Sequence, residues 1–316
     1  MKKNLEEIEV CPSCLKKQWK IFRDVKRDGI KQKFIICSYC LLVKQSPSLT
    51  DKKLYEYYKS SYNKKNYNSE ISSIFETMKT PAYARIKYLE KHKIYFKPNE
   101  KVLEIGPGSG SMLSILKEKG LNVEGIEPDS DASNWIKNKL NITVLNIFFD
   151  ELENNKSKEW IENPFDWIIV THLLEHIRNP RKFLSEISKF IKPEGKILIE
   201  IPNANNPYSD GDEWGHLFDP GHFFYYTTSN LRKLLLNNSY KINLIGDDTL
   251  KPYRNIICVA STNNISQKFN MKNQGSLGII KIRLIWNFFE LKHILIQLLI
   301  KNPGRFMKYK IFKIPK

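Results

Sequence analysis

At 316 residues the chain is long enough for one full-sized domain with appendages. Its 51 Lys and Arg against 34 Asp and Glu give a net charge of +17, and 41% hydrophobic residues allow a sizeable core. Met1 to Glu9 is charged and no apolar stretch follows, which argues against a secretory leader and for a cytoplasmic chain. The charge is uneven. Residues 1–60 carry 14 basic and 7 acidic side chains, residues 266–316 carry 11 and 1, and residues 61–265 are balanced at 26 each. Basic ends attract anions such as nucleic acid, anionic lipid or phosphorylated substrates, or else form a solvated surface.

Four of the five cysteines fall in two CxxC pairs, Cys11–Cys14 and Cys37–Cys40. Two residues between thiols let both turn onto one metal, and two such loops make a tetrahedral four-thiolate site that suits structural Zn²⁺. Between them, 18–25 and 32–36 alternate like strands around a turn at Arg27-Asp28-Gly29. The layout over residues 1–50 is a zinc ribbon. Residues 51–80, rich in Tyr and Lys, read as a helical linker, and 81–265 as the main domain.

From Lys101 strands and helices alternate. Strands are expected at Lys101–Ile105, Asn122–Glu127, Ile142–Phe148, Trp167–Thr171 and Lys196–Ile201. Helices are expected at Gly110–Lys119, Asp131–Leu140 (capped by Ser130 or Asp131) and Arg181–Ile191. The uninterrupted run Trp-Ile-Ile-Val at 167–170 suits a parallel strand buried on both faces. The fold class is therefore α/β, a Rossmann-like doubly wound sheet of about seven strands, with ligands at the carboxyl ends of the strands. There the first strand ends in Glu104-Ile-Gly106-Pro-Gly108-Ser-Gly110, and the second in Gly125-Ile-Glu127. Glycines let the backbone approach a ligand, and an acid at the second strand's end can accept from ribose hydroxyls.

VLEIGPGSG, then GIEPD, then FDWIIVTHLLEHIRNPRKFLSEISKFIKPEGKILIEIPN resemble the class I S-adenosylmethionine-dependent methyltransferases, over about residues 82–262. The resemblance implies that Gly106, Gly108 and Gly110 lie under the methionine part of the cofactor. It also implies that Glu127 holds the ribose and that Glu104 orders the loop or meets the ammonium through water. Ile147 and Phe148 would flank the adenine, and Thr171 and His172 would line the methyl side. His176 in the Leu174-Glu175-His176 turn reads as structural, with a metal set of His172, Glu175 and His176 as the less favoured alternative. The loop after the fifth strand holds Trp214, His216, Asp219 and His222, suited to a hydroxylated acceptor, and His222 leads as base or substrate ligand ahead of His216 and Asp219. A zinc ribbon ahead of such a domain is similar to enzymes of bacterial cell-surface glycan and nucleotide-sugar pathways. That likeness implies a sugar or nucleotide-sugar acceptor, methylated on oxygen or carbon.

Residues 266–316 end the chain in a basic amphipathic helical tail. Charges within 277–300 argue against a spanning helix. The tail is expected to lie on an anionic membrane surface at the inner face, or to dock on its own domain or on a second subunit of a homodimer. Two further readings stand beside a small-molecule methyltransferase. One is an RNA methyltransferase that uses the ribbon on RNA; against it, Thr171-His172-Leu173 lacks the Asn/Asp-Pro-Pro-aromatic box for base amino groups. The other is a cofactor-binding protein without turnover.

Overall fold

The structure is a computed structural model that describes residues 10–27, 30–48, 50, 70–152, 154–205, 221–247, 255–262 and 278–286. It contains a seven-stranded sheet and a four-stranded sheet. The large sheet uses β4 (Lys101–Ile105), β5 (Asn122–Ile126), β6 (Thr143–Leu145), β7 (Phe165–Thr171), β8 (Ile191–Pro202), β10 (Tyr240–Asp247) and β11 (Asn255–Thr262). Their order is β10-β11-β8-β7-β4-β5-β6, and β11 alone runs against its neighbours. The chain leaves β4 towards β5 and β6, then returns to β7 on the other side. The switch point therefore lies between β4 and β7, and a ligand crevice opens at their carboxyl ends.

Alternation explains why both faces of this sheet are covered. Leu103, Ile105, Ile168 and Val170 belong to one buried cluster, and Val102, Trp167 and Ile169 to the other. Each such side chain, taken fully out of water, contributes about 1.5–3 kcal/mol. Helix α1 (Ile71–Lys91) covers the second face with Ala82, Ile86 and Leu89, spaced to share one side of a helix. It runs unbroken across residue 81, despite Pro81. Helices α2 (Ser111–Glu118), α3 (Ser130–Lys139), α4 (Asn154–Glu162), α5 (Pro180–Ile187) and α6 (Thr228–Leu236) complete the layers.

Several boundaries differ from those expected. The cap of α3 is Asp129, whose carboxylate accepts from Ala132 N, rather than Ser130 or Asp131. Strand β6 stops at Leu145, and a 3-10 turn at Phe149–Glu151 follows. Helix α5 ends at Ile187, and β8 begins at Ile191, so the Pro193-Glu-Gly195 segment lies within that strand.

The small sheet pairs β1 (Trp19–Arg27), β2 (Ile30–Cys37) and β3 (Val43–Gln45) with β9 (Phe224–Tyr225). The last pairing, Val43 to Tyr225 and Lys44 to Phe224, joins the N-terminal module to the main domain. Asn237 Nδ2 donates to Ser13 O at 2.7 Å, and the four cysteines share one buried cluster with Phe223, Tyr226 and Leu234. A helical stretch at 278–286 docks on the other side of the ribbon. Its Trp286 packs edge-on against Phe22, Phe34 and Tyr225 and donates Nε1–H to Ala204 O. The tail's described part thus packs on its own chain; the rest of the tail, the Asp28-Gly29 turn and the 51–69 linker lie outside the described residues. Among the described residues no helix is long and apolar enough to cross a membrane.

Candidate active site

The glycine loop leaves β4 at the switch point. Gly106, Gly108 and Gly110 all have positive φ, at 74°, 55° and 78°. A Cβ on Gly108 would meet nothing within 4 Å, so a cradle stands open beside it. A Cβ on Gly106 would lie 3.7 Å from Leu173 of the β7 corner. Glu127, at the end of β5, borders the cradle. One carboxylate oxygen accepts from Gly108 N at 2.8 Å and the other from Asp129 N at 2.9 Å. Asn146 Nδ2 donates to the backbone oxygens of Glu127 and Pro128 and fixes that corner.

Two acids here are strained electrostatically. Burial pushes the Glu127 carboxyl up to about 7, against the pull of its two N–H donors. Burial does the same to Glu104, also to about 7, with Arg85 opposing and Glu127 reinforcing the shift. Glu104 Oε2 is buried with no hydrogen-bond partner among the described residues. An open cradle, an acid poised beside it and an orphaned carboxylate oxygen fit a cofactor bearing ribose hydroxyls and an ammonium.

Thr171 and His172 close the carboxyl end of β7. His172 sits at φ 50°, an uncommon conformation for a side chain with a Cβ, and its N–H donates to Glu200 O at 2.8 Å. Its Nε2 is 3.3 Å from Glu200 Oε1, and Asn255 Nδ2 donates to that same carboxylate at 2.7 Å. Arg85 Nε donates to the other Glu200 oxygen in a buried ion pair. Desolvation disfavours charge on His172 only in part, because its side chain is 46% exposed, and Glu175 and Glu200 outweigh it and push the imidazole up to about 9.

His222 lies at the entry to β9. Phe223 N donates to Glu175 O at 2.8 Å, which brings the His222 ring within 4.5 Å of the His176 ring. Glu175, His176 and His222 therefore converge, whereas the sequence favoured a structural place for His176 and offered His172, not His222, as its companion in a metal set. Ile147 is partly buried against the core, and Phe148 is 37% exposed after β6 has ended. His216 and Asp219 lie outside the described residues.

The sequence reading missed the Arg85–Glu200–Asn255 network. Its signals were a Glu inside the apolar strand Ile197–Ile201 and an Arg on the apolar side of α1, beside Ala82 and Ile86. The four cysteine sulfurs do converge. Cys11 and Cys40 Sγ are 3.5 Å apart, as are Cys14 and Cys37, all four residues are buried, and none is in a disulfide. Leu15 and Leu41, each directly after a CxxC, share a left-handed backbone at φ 62° and 65°. Two matching knuckles with sulfurs at this spacing fit a tetrahedral ion about 2.3 Å from each thiolate.

A model of the methyltransferase domain family matches residues 67–243. The ubiquinone biosynthesis O-methyltransferase of Rickettsia typhi is 29% identical over 164 residues, which cover 49% of this chain and 62% of that protein. The chain thus matches less than two thirds of that relative's length. N-methyltransferase 4 of Papaver somniferum is 25% identical over 137 residues, 40% of this chain and 38% of that protein. Among solved structures, 1,6-didemethyltoxoflavin-N1-methyltransferase of Burkholderia thailandensis, with S-adenosylhomocysteine bound, aligns at a TM-score of 0.51 and 13% identity, over 76% of this chain and 99% of that one. That likeness speaks for the fold. These relatives are named for ubiquinone and N-methyl chemistry, not for glycans. A family model that covers more than half of the chain, on a switch-point sheet with its glycine loop in place, places the chain in the class I S-adenosylmethionine-dependent methyltransferase domain family.

Proposed function

We propose that the protein transfers the methyl group of S-adenosylmethionine to a hydroxyl oxygen of a small-molecule acceptor, bound where the zinc ribbon meets the carboxyl edge of the large sheet. The observation that carries this reading is the meeting at one edge of the open cradle by Gly108 and Glu127 with the Glu175, His176 and His222 cluster. The bound cofactor supplies an already activated sulfonium methyl. The chain's own part is to hold the acceptor in line at about 3–3.5 Å, exclude water and take up a proton. In this reading Glu127 accepts from the ribose, Glu104 faces the ammonium side, Ile147 and Phe148 flank the adenine, and Thr171 and His172 border the methyl. Imidazole is the group able to accept a proton near neutrality, so proton removal is assigned to the cluster that holds His222. His216 and Asp219 are proposed as further acceptor contacts.

The acceptor class proposed first is a sugar or nucleotide-sugar. Its support is the hydrogen-bonding loop around Trp214 and the basic ribbon, which suits a phosphorylated ligand. A second reading, methylation of a hydroxyl in ubiquinone biosynthesis, is favoured by the names of the relatives. Cys11, Cys14, Cys37 and Cys40 are proposed to hold one structural Zn²⁺ that fixes the ribbon over the site. The test is transfer of labelled methyl from S-adenosylmethionine into a nucleotide-sugar pool and, in parallel, into ubiquinone-pathway extracts. Label in the first supports the sugar reading, label only in the second replaces it, and label in neither contradicts both.

A further inference from the structure

The 3-10 turn Leu174–His176 and the residue before Phe223 bring two imidazoles and a carboxylate together at the β7 corner. One ligand atom each from Glu175, His176 and His222 lie within 4.8 Å of one another. The backbone holds them there, since Phe223 N donates to Glu175 O, and the two imidazole rings meet edge-on at 78°. Glu175 and His222 are buried, at 2% and 7% exposed, and His176 is half-buried beside them. Neither carboxylate oxygen of Glu175 has a hydrogen-bond partner among the described residues. His172 Nδ1 stands 3.7 Å from Glu175 Oε1, within ion-pair reach but beyond a hydrogen bond, and offsets its charge only in part.

A carboxylate buried without a hydrogen-bond donor still carries a desolvation cost, which a cation bound directly to it offsets. Protonating both imidazoles would place two like charges side by side. A single cation between the three groups offsets the carboxylate without placing two like charges side by side. Two imidazole nitrogens and one carboxylate oxygen form a donor set for first-row divalent ions, whereas Mg²⁺ and Ca²⁺ favour oxygens alone. Donors about 2.0–2.2 Å from a common ion can be at most about 4.4 Å apart, so the cluster needs only a small closure to ligate.

We propose that Glu175, His176 and His222 form a second metal site, for a divalent first-row transition ion such as Mn²⁺, Co²⁺ or Zn²⁺, separate from the four-cysteine site. Three protein ligands leave coordination positions for oxygens of the acceptor. That part rests on the reading of the acceptor's place given above; the binding of the ion does not. With the ion bound, His222 would be a ligand, and the ion would take over its part by lowering the pKa of an acceptor hydroxyl that it holds.

The experiment is calorimetric titration of Mn²⁺ onto the full-length protein after a mild chelator has been used and removed, with metal analysis confirming that the cysteine-held zinc remains. One equivalent of Mn²⁺ should bind to the native protein. His222→Ala and Glu175→Gln should each weaken it roughly 100-fold or more, with zinc content and circular dichroism unchanged. Co²⁺ added to the native protein provides a test that needs no variant. Weak visible bands without thiolate-to-metal charge transfer support the site. No Mn²⁺ and no Co²⁺ uptake, or Mn²⁺ uptake unaltered in folded variants, overturns it. S-adenosylmethionine titrated in parallel separates the two claims. Binding of the nucleoside without the ion sinks the metal site alone, and binding of the ion without the nucleoside sinks the methyl-transfer reading alone.

Discussion

Replacing Gly108 and Gly110 separately by Ala distinguishes a glycine kept for a ligand from one kept for packing. Both have positive φ, and an L side chain in the left-handed region costs about 1–2 kcal/mol. Gly110 carries a second cost. Its new Cβ would lie 2.7 Å from Ile136 Cγ1 and 3.0 Å from Leu140 Cδ1. Ile136 is fully buried against Leu113, Ile142 and Val144, so it has little room to yield. Overpacking of this kind adds about 1–3 kcal/mol. Gly110→Ala should therefore lose about 2–5 kcal/mol, and Gly108→Ala, with open space around its Cβ, about 1–2 kcal/mol. At roughly 2–4 °C per kcal/mol for a domain of this size, thermal denaturation separates them. Affinity should run the other way. The added methyl of Gly108→Ala fills the cradle beside Glu127 and should weaken S-adenosylmethionine binding about tenfold or more (1.4 kcal/mol). Should Gly108→Ala bind the cofactor as tightly as the native protein, the cradle is not the cofactor site.

Three further outcomes follow from the same geometry. Metal analysis should find about one tightly held zinc per chain, lost in Cys37→Ser; a zinc-free native protein removes the knuckle. Arg85→Ala should cost about 3–5 kcal/mol in urea unfolding, because it leaves Glu200 buried and underpaired, and Arg85→Met with Glu200→Met should recover part of that. A loss below about 1 kcal/mol would refute the burial argument. The third outcome is a fall in stability with rising pH. Glu104 and Glu127 rise from 4.5 to about 7 in the folded protein. Each thus contributes stability that is full below about 4.5 and lost as pH rises through about 7, worth at most roughly 3 kcal/mol for one carboxyl. The urea midpoint should fall between pH 5 and 7, and Glu127→Gln should flatten that fall. A midpoint that rises over this window contradicts the assignment.

Local pattern made the sheet legible. Trp167, Ile168, Ile169 and Val170 read as a strand buried on both faces, and they divide between the two clusters in strict alternation. The glycine loop, Glu127 and the cysteine pairs were equally plain, since their chemistry depends on short spacing. The run from Ile142 to Phe148 misled because apolar content imitates a strand. At this sheet edge β6 has only β5 to pair with among the described residues, and it ends after three residues. The β3–β9 pairing, the Arg85–Glu200 ion pair and the approach of His222 to Glu175 join residues far apart in the chain. No period or local motif encodes such contacts; they appear only once the strand order is known.

The most direct test of the account is calorimetric titration of the full-length protein with S-adenosylmethionine, with NAD as control and Glu127→Ala beside the native chain. The account predicts that S-adenosylmethionine binds, that NAD does not, and that Glu127→Ala loses the binding while staying folded. Binding of NAD in its place, or an affinity for S-adenosylmethionine unchanged in Glu127→Ala, would contradict the cofactor site on which the proposed methyl transfer rests.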